Sequence, residues 1–168
     1  MARARPTQLP EPPFEISLSV RHPSIDPAEI SRTLHLEPVE AFRAGDPRPC
    51  GLRELESRVH AETFWVGVFG PDSWPMRSAQ HYLPDPATLA LLAHPRLAGM
   101  LEMRLARVCE HLRASHREFL KRLDAEGGRT VLRVTLSPRE VASFTLPSAV
   151  GRALTELAIA IEFDFSAS

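Results

Sequence analysis

Residues 21–48 read RHPSIDPAEISRTLHLEPVEAFRAGDPR, and their punctuation decides the fold. Asp26, followed by Pro27 at the first helical position and Glu29 three residues on, is a helix start, with Ser24 as a second candidate cap. Ile30, Leu34 and Leu36 supply the buried edge of a short helix. Pro38 is expected to end it, because proline has no N–H for the helical ladder. Residues 39–44 then read as a short strand, and Gly45-Asp46-Pro47-Arg48-Pro49 as turn chemistry. The same stretch contains no nucleophile–base pair, no metal-ligand spacing and no phosphate loop.

Upstream, Phe14, Ile16, Leu18 and Val20 alternate with polar residues, the period of a half-buried strand. Downstream, residues 50–60 are charged and aperiodic, and Thr63 to Phe69 is aromatic and β-branched. Phe64, Val66 and Val68 share one face of that strand, and Trp65, Gly67 and Phe69 the other. With both faces apolar, it belongs inside a sheet and Trp65 belongs in the core. Residues 71–86 read as a long loop, and Asp85-Pro86 opens a short helix to Ala93. Pro95 opens a long helix to about Glu126, with Leu97, Leu101, Leu105, Val108, Leu112, Phe119 and Leu123 on one stripe. Gly127-Gly128 terminates it. Thr130 to Leu136 alternates as a strand, and Val141 to Thr145 reads as a short partner strand. Pro147 starts a third helix with Val150, Leu154 and Leu157 inward. Ile159 to Phe165 is a last strand, with Ile159, Ile161, Phe163 and Phe165 on one face and Glu162 and Asp164 on the other.

The order β-α-β-β-α-β-(β)-α-β predicts an α+β fold: a mostly antiparallel sheet covered by helices on one face, with a ferredoxin-like core and an added αβ unit. The basic, proline-rich residues 1–13 read as a flexible N-terminal arm, and residues 14–168 as a single domain. The chain has 168 residues, 43% of them hydrophobic, enough to bury a sizeable core. A formal net charge of −1 provides no global field for nucleic acid or an anionic membrane, so neither is an expected partner. No apolar run is long enough for a membrane span or a secretory signal. Two cysteines make no disulfide framework, which points to the cytoplasm.

Candidate chemistry is sparse. The seven histidines lack zincin spacing, and His111 and His116, five apart on a helix, are expected to diverge by about 140°. No metal site and no cofactor is expected. Cys50, between Arg48 and Arg53, reads as a spectator thiol and Cys109 as packing. Asp26 and Glu29 read as helix cap and dipole partners, and Glu162 and Asp164 as the solvated face of a strand. The alternating charges of the long helix read as stabilising pairs. No catalytic residue is assigned. The candidate binding surface is Arg43, Asp46, Arg48 and Trp74. The turn residues read either as an arginine–carboxylate brace or as two guanidinium forks presented to an acidic partner. Trp74, in a proline-flanked loop, reads as an exposed anchor.

HPSIDPAEIS, then LHLEP, FRAGDPR, the aromatic strand with Trp65, REFLKRLDAEGGR and the tail LPSAVGRALTELAIAIEFDF together resemble a bacterial family catalogued only as a domain of unknown function (DUF4279-like). The resemblance spans about residues 14–166, and residues 70–95 depart from it as a longer proline-rich insertion. It implies a small soluble bacterial protein without a known activity or cofactor, and it assigns no site residue.

Two functional readings follow. The first is a non-catalytic protein-binding module, of immunity or regulatory type, using an exposed sheet face, the arginine-flanked turn and Trp74. The second is a small-molecule-binding domain or hydrolase in which Arg43, Asp46 and Arg48 converge with His22 or Glu62. Either admits a homodimer, through a sheet edge or the long helix.

Overall fold

The computed structural model describes residues 14–47, 59–70, 97–136 and 145–165. Eight elements follow in order: β1 (Phe14–His22), α1 (Pro27–Leu34), β2 (Pro38–Phe42), β3 (Thr63–Val68), α2 (Leu97–Ala125), β4 (Arg129–Leu136), α3 (Ser148–Glu156) and β5 (Ile159–Phe165). The strands form one mixed sheet in the order β2-β3-β1-β4-β5. Its neighbours are antiparallel except β4 and β5, which run parallel. Strands β1 and β2 therefore run in the same direction with β3 between them, and β3 and β4 do so with β1 between them. Each described helix lies on the connection between two co-directional strands.

Alternation along β1 separates the two faces of the sheet. Phe14, Ile16, Leu18 and Val20 are buried and join Trp65, Leu132, Val134 and Leu136 with the apolar sides of the helices in one hydrophobic cluster. The other face carries Glu15, Ser17, Ser19 and Arg21, and no described helix covers it. The architecture is thus α+β, an open, mostly antiparallel sheet with the three described helices packed on one face. Among the described residues no helix is long and apolar enough to cross a membrane.

The local signals act as their chemistry dictates. The Asp26 side chain accepts from the Ala28 N–H at 3.0 Å and Pro27 opens α1, while Ile30, Leu34 and Leu36 are buried. Proline 38 does not end this helix. The chain leaves it at His35, whose left-handed conformation (φ 51°) closes the last turn, and Pro38 opens β2 instead. Gly127 takes φ +84° behind α2, and the Gly128 N–H closes back on the Leu123 carbonyl at 2.7 Å, so the glycine pair does stop the long helix. Trp65 is fully buried, as expected.

Two packing expectations need correction. The buried stripe of α2 runs through Leu112, His116, Leu120 and Leu123, with Phe119 only half-buried. The position four residues beyond Leu112 is a histidine, so a stripe traced through apolar side chains alone passes over it. On β5, Ile159 is buried, Ile161 and Phe163 are half-buried, and Phe165 is 58% exposed. This is an edge strand, and its helical cover, α3, enters at its first residue, so burial fades along its length. The short helix from Asp85 to Ala93, the loop at 71–86, the N-terminal arm, Cys50, Arg48 and Trp74 lie outside the described residues, as does all but the last residue of the strand expected from Val141 to Thr145.

Candidate functional site

The sheet face that no described helix covers is built by alternation alone. Residues opposite one another in register project to the same side. Arg21 lies opposite Phe64 on β3 and opposite Arg129 on β4. Two residues back along β1, Ser19 lies opposite Val66 and Val131. Arg133 lies opposite Ser17 on one side and Glu162 on the other. The result is a concavity of about 520 Å³ lined by Ser19, Arg21, Phe64, Arg129, Val131 and Arg133, with Glu62 and Glu162 at its ends.

Its charges are laced together. Arg21 Nη1 lies 2.5 Å from Glu62 Oε1. Glu162 is shared, 3.1 Å from Arg133 Nη2 through one carboxylate oxygen and 3.8 Å from Arg129 Nη2 through the other. The Arg21 guanidinium also lies over the Phe64 ring, 4.9 Å from its centroid. A second concavity of about 340 Å³ adjoins the first and shares Arg21, Glu62 and Gly127 with it. Its walls include Pro23, Phe42 and His60. Phe42 and His60 stack at 3.6 Å between centroids, and Phe42 stacks on Phe64 at 5.1 Å. The face thus carries an arginine row at one end and an aromatic stack at the other.

The charged turn sits apart from this concavity. The Arg43 N–H donates to Asp46 Oδ2 at 2.8 Å, and the Asp46 N–H donates to the Arg43 carbonyl at 3.1 Å. Gly45, at φ +89°, makes the bend and donates to the His60 carbonyl. The Arg43 guanidinium reaches Asp26 Oδ2 at 2.9 Å and so ties the turn to the cap of α1. Replacing Asp46 with alanine removes a turn hydrogen bond and should cost about 1 kcal/mol. Arg43→Ala removes an exposed ion pair and should cost less than that. Thermal melts of the two variants check this order, and Arg43→Ala being the more damaging would refute it.

His22 and Glu62, both candidates to join the turn, are separated by the sheet. Glu62 lines the open-face concavity. His22 is buried on the helix side, where Nδ1 accepts from the N–H groups of Ser24 and Ile25 at 3.1 and 2.9 Å. Its Nε2 faces Glu126 Oε2 at 3.3 Å.

The expectation that His111 and His116 diverge is wrong. Their Nε2 atoms lie 3.0 Å apart, and His35 stands close by, 6.4 Å from the His116 ring between centroids. A helical wheel separates Cβ directions but not ring tips. Helical side chains lean toward the N-terminus, which carries the His116 ring back over the preceding turn. Burial, then the neighbouring His116 and His35, push His111 down to about 3. His116 is lowered by burial and by His35. Among the described residues no group of three or more His, Cys, Asp or Glu side chains is placed to hold a metal ion. Cys109 is buried, and loss of solvation pushes its thiol up to about 12, which leaves it protonated and unreactive at neutral pH.

The arginine row is what sequence reasoning missed. Arg21, Arg129 and Arg133 each occupy a polar position of an alternating strand, which was legible. That β1 and β4 are neighbours, in a register that sets Arg21 against Arg129, was not. No protein-family model, no curated protein and no solved structure matches this chain.

Proposed function

We propose that this protein is a non-catalytic protein-binding module and that the open face of its sheet is the docking surface. One observation carries the reading. The face is a broad, shallow trough whose carboxylates and guanidinium groups pair with one another beside an aromatic stack, and they do not converge on a single reacting point. Mixed charge with aromatic and arginine anchors is the composition of protein-recognition surfaces. We read the framework beneath it as a ferredoxin-like split βαβ core, β1 through β4, extended by α3 and β5. The order in which β1 separates β3 from β4 supports that reading.

Ser19, half-buried in the middle of the concavity, provides the test. Tyrosine is tolerated in strands, and Ser19→Tyr would fill the trough without touching the core. Wild-type protein immobilised and exposed to lysate of its native host should retain a partner that Ser19→Tyr does not, while the two melt within about 2 °C of each other. Identical retention by both overturns the proposal.

A second reading is favoured by the volume of the concavity, which lies within the range of small-molecule sites. Under it, native mass spectrometry of freshly purified protein shows a bound small molecule that Ser19→Tyr excludes. It draws its support from the sheet face and not from the Arg43 and Asp46 turn.

A further inference from the structure

We infer that Arg21, Arg129 and Arg133 form a carboxylate-recognition row, and that the partner's docking segment is an acidic extended chain carrying an apolar or aromatic side chain. This rests on the docking reading above and names the chemistry of its partner. The first argument is register. Arg21 and Arg129 are direct cross-strand partners on the same face, and like charges placed opposite each other destabilise a sheet. Sequences that break a local rule of this kind do so mostly at functional sites. The second argument is charge balance. Three guanidinium groups share two carboxylates, and Arg129 is left with the longest contact, 3.8 Å, to an oxygen of a Glu162 already engaged by Arg133. Arg129 is 69% exposed, so its planar fork is open to a bidentate acceptor.

The third argument is shape. The arginine concavity continues through Arg21 into the second one, toward Phe42 and His60. Crossing five strands at about 4.8 Å spacing gives a trough about 19 Å long, room for about five or six extended residues. An acidic side chain would lie at the β4 end and an apolar one against the Phe42–His60 stack. The flanking Glu62 and Glu162 hold the arginines outstretched in the free protein. A free phosphate ion can engage the arginines but not the Phe42–His60 stack, so it lacks the second anchor that an extended segment has.

The test is a titration of full-length protein, at low and at physiological salt, with three probes: a fluorescent hexapeptide of Glu and Asp with one Phe, its Lys-substituted counterpart, and inorganic phosphate. The acidic peptide should bind and weaken with salt, and R129E/R133E should lose at least tenfold in affinity while keeping the wild-type circular dichroism spectrum. Phosphate should not compete at equimolar charge. Equal binding of the Lys peptide, tenfold or better competition by phosphate, no binding of the acidic peptide, or its undiminished binding to R129E/R133E each overturns the inference. Running R129E/R133E beside Ser19→Tyr in the lysate capture separates the two failures. A partner lost with Ser19→Tyr but kept by R129E/R133E leaves the docking reading standing and removes the acidic one. Loss with neither removes the docking reading itself.

Discussion

Replacing Trp65 with alanine is expected to lower the stability of the fold by about 3–5 kcal/mol, the largest effect of any single side chain described. Trp65 is fully buried on the helix face of β3. Its Nε1–H donates to Ser31 Oγ at 2.9 Å and so fastens the sheet to α1. The indole lies over Gly67, two residues along the same strand. A methyl group on Gly67 would come within 2.5 Å of the indole tip and 2.6 Å of Leu36, so glycine there makes the space that the indole and Leu36 fill. Alanine at 65 therefore opens a large cavity and strands the Ser31 hydroxyl at the same time. Urea unfolding followed by far-ultraviolet circular dichroism measures the loss. Trp65→Phe, which keeps most of the volume and drops the hydrogen bond, should fall between alanine and wild type. A Trp65→Ala loss below about 1.5 kcal/mol would show that this junction is not what anchors α1.

The contrast between Trp65 and the arginine row marks how far local chemistry carries. Strand β3 announced itself through aromatic and β-branched residues on both faces, and a tryptophan in such a strand has few places to go but the core. The cap at Asp26, the stop at Gly127 and the alternation of β1 and β4 are likewise properties of a few consecutive residues. What stayed illegible depends on partners distant in the chain. His35 ends α1 because its backbone adopts a left-handed turn that no residue type announces, so the proline three positions on drew the boundary instead. Leu120 and His116 are buried because of how α2 lies on the sheet, and a stripe drawn from apolar residues alone steps over a histidine. Arg21 and Arg129 become neighbours only once β4 pairs with β1, across more than a hundred residues of chain. The turn at Arg43 to Asp46 was conspicuous in the sequence because its charges lie close together around a glycine. The face formed by β1, β3 and β4 was inconspicuous because its charges are dispersed.

Acidification from pH 7 to pH 5 is expected to destabilise the protein through the histidine pair on α2. With Nε2 atoms 3.0 Å apart, one neutral ring can donate to the lone pair of the other. A proton added to that acceptor removes the bond and places charge beside His35 in a poorly solvated site. His111 is accordingly held down at about 3, and His116 is lowered as well, while an unfolded histidine titrates near 6.5. The sign follows from proton counting. Between about pH 6.5 and pH 3 the unfolded chain binds a proton at His111 that the folded chain refuses, so unfolding is favoured as pH falls. Stability from this source is complete above the unfolded value and is lost steadily below it, by at most about 1.4 kcal/mol per pH unit for each histidine. Partial exposure of His111 reduces its share. The window from pH 7 to pH 5 keeps most carboxylates ionised, and comparison with a substituted pair separates its share from that of the other histidines. His111→Gln keeps a polar side chain at 111 and removes a titrating group, so it should flatten the slope of unfolding free energy against pH. His116→Gln should flatten it too while costing more at pH 7, because His116 is buried beneath the helix and His111 is not. Parallel pH profiles for wild type and His111→Gln would mean that the acid sensitivity arises elsewhere. A slope steepened by the substitution would mean that the pair is held together by a shared proton, and not by its exclusion.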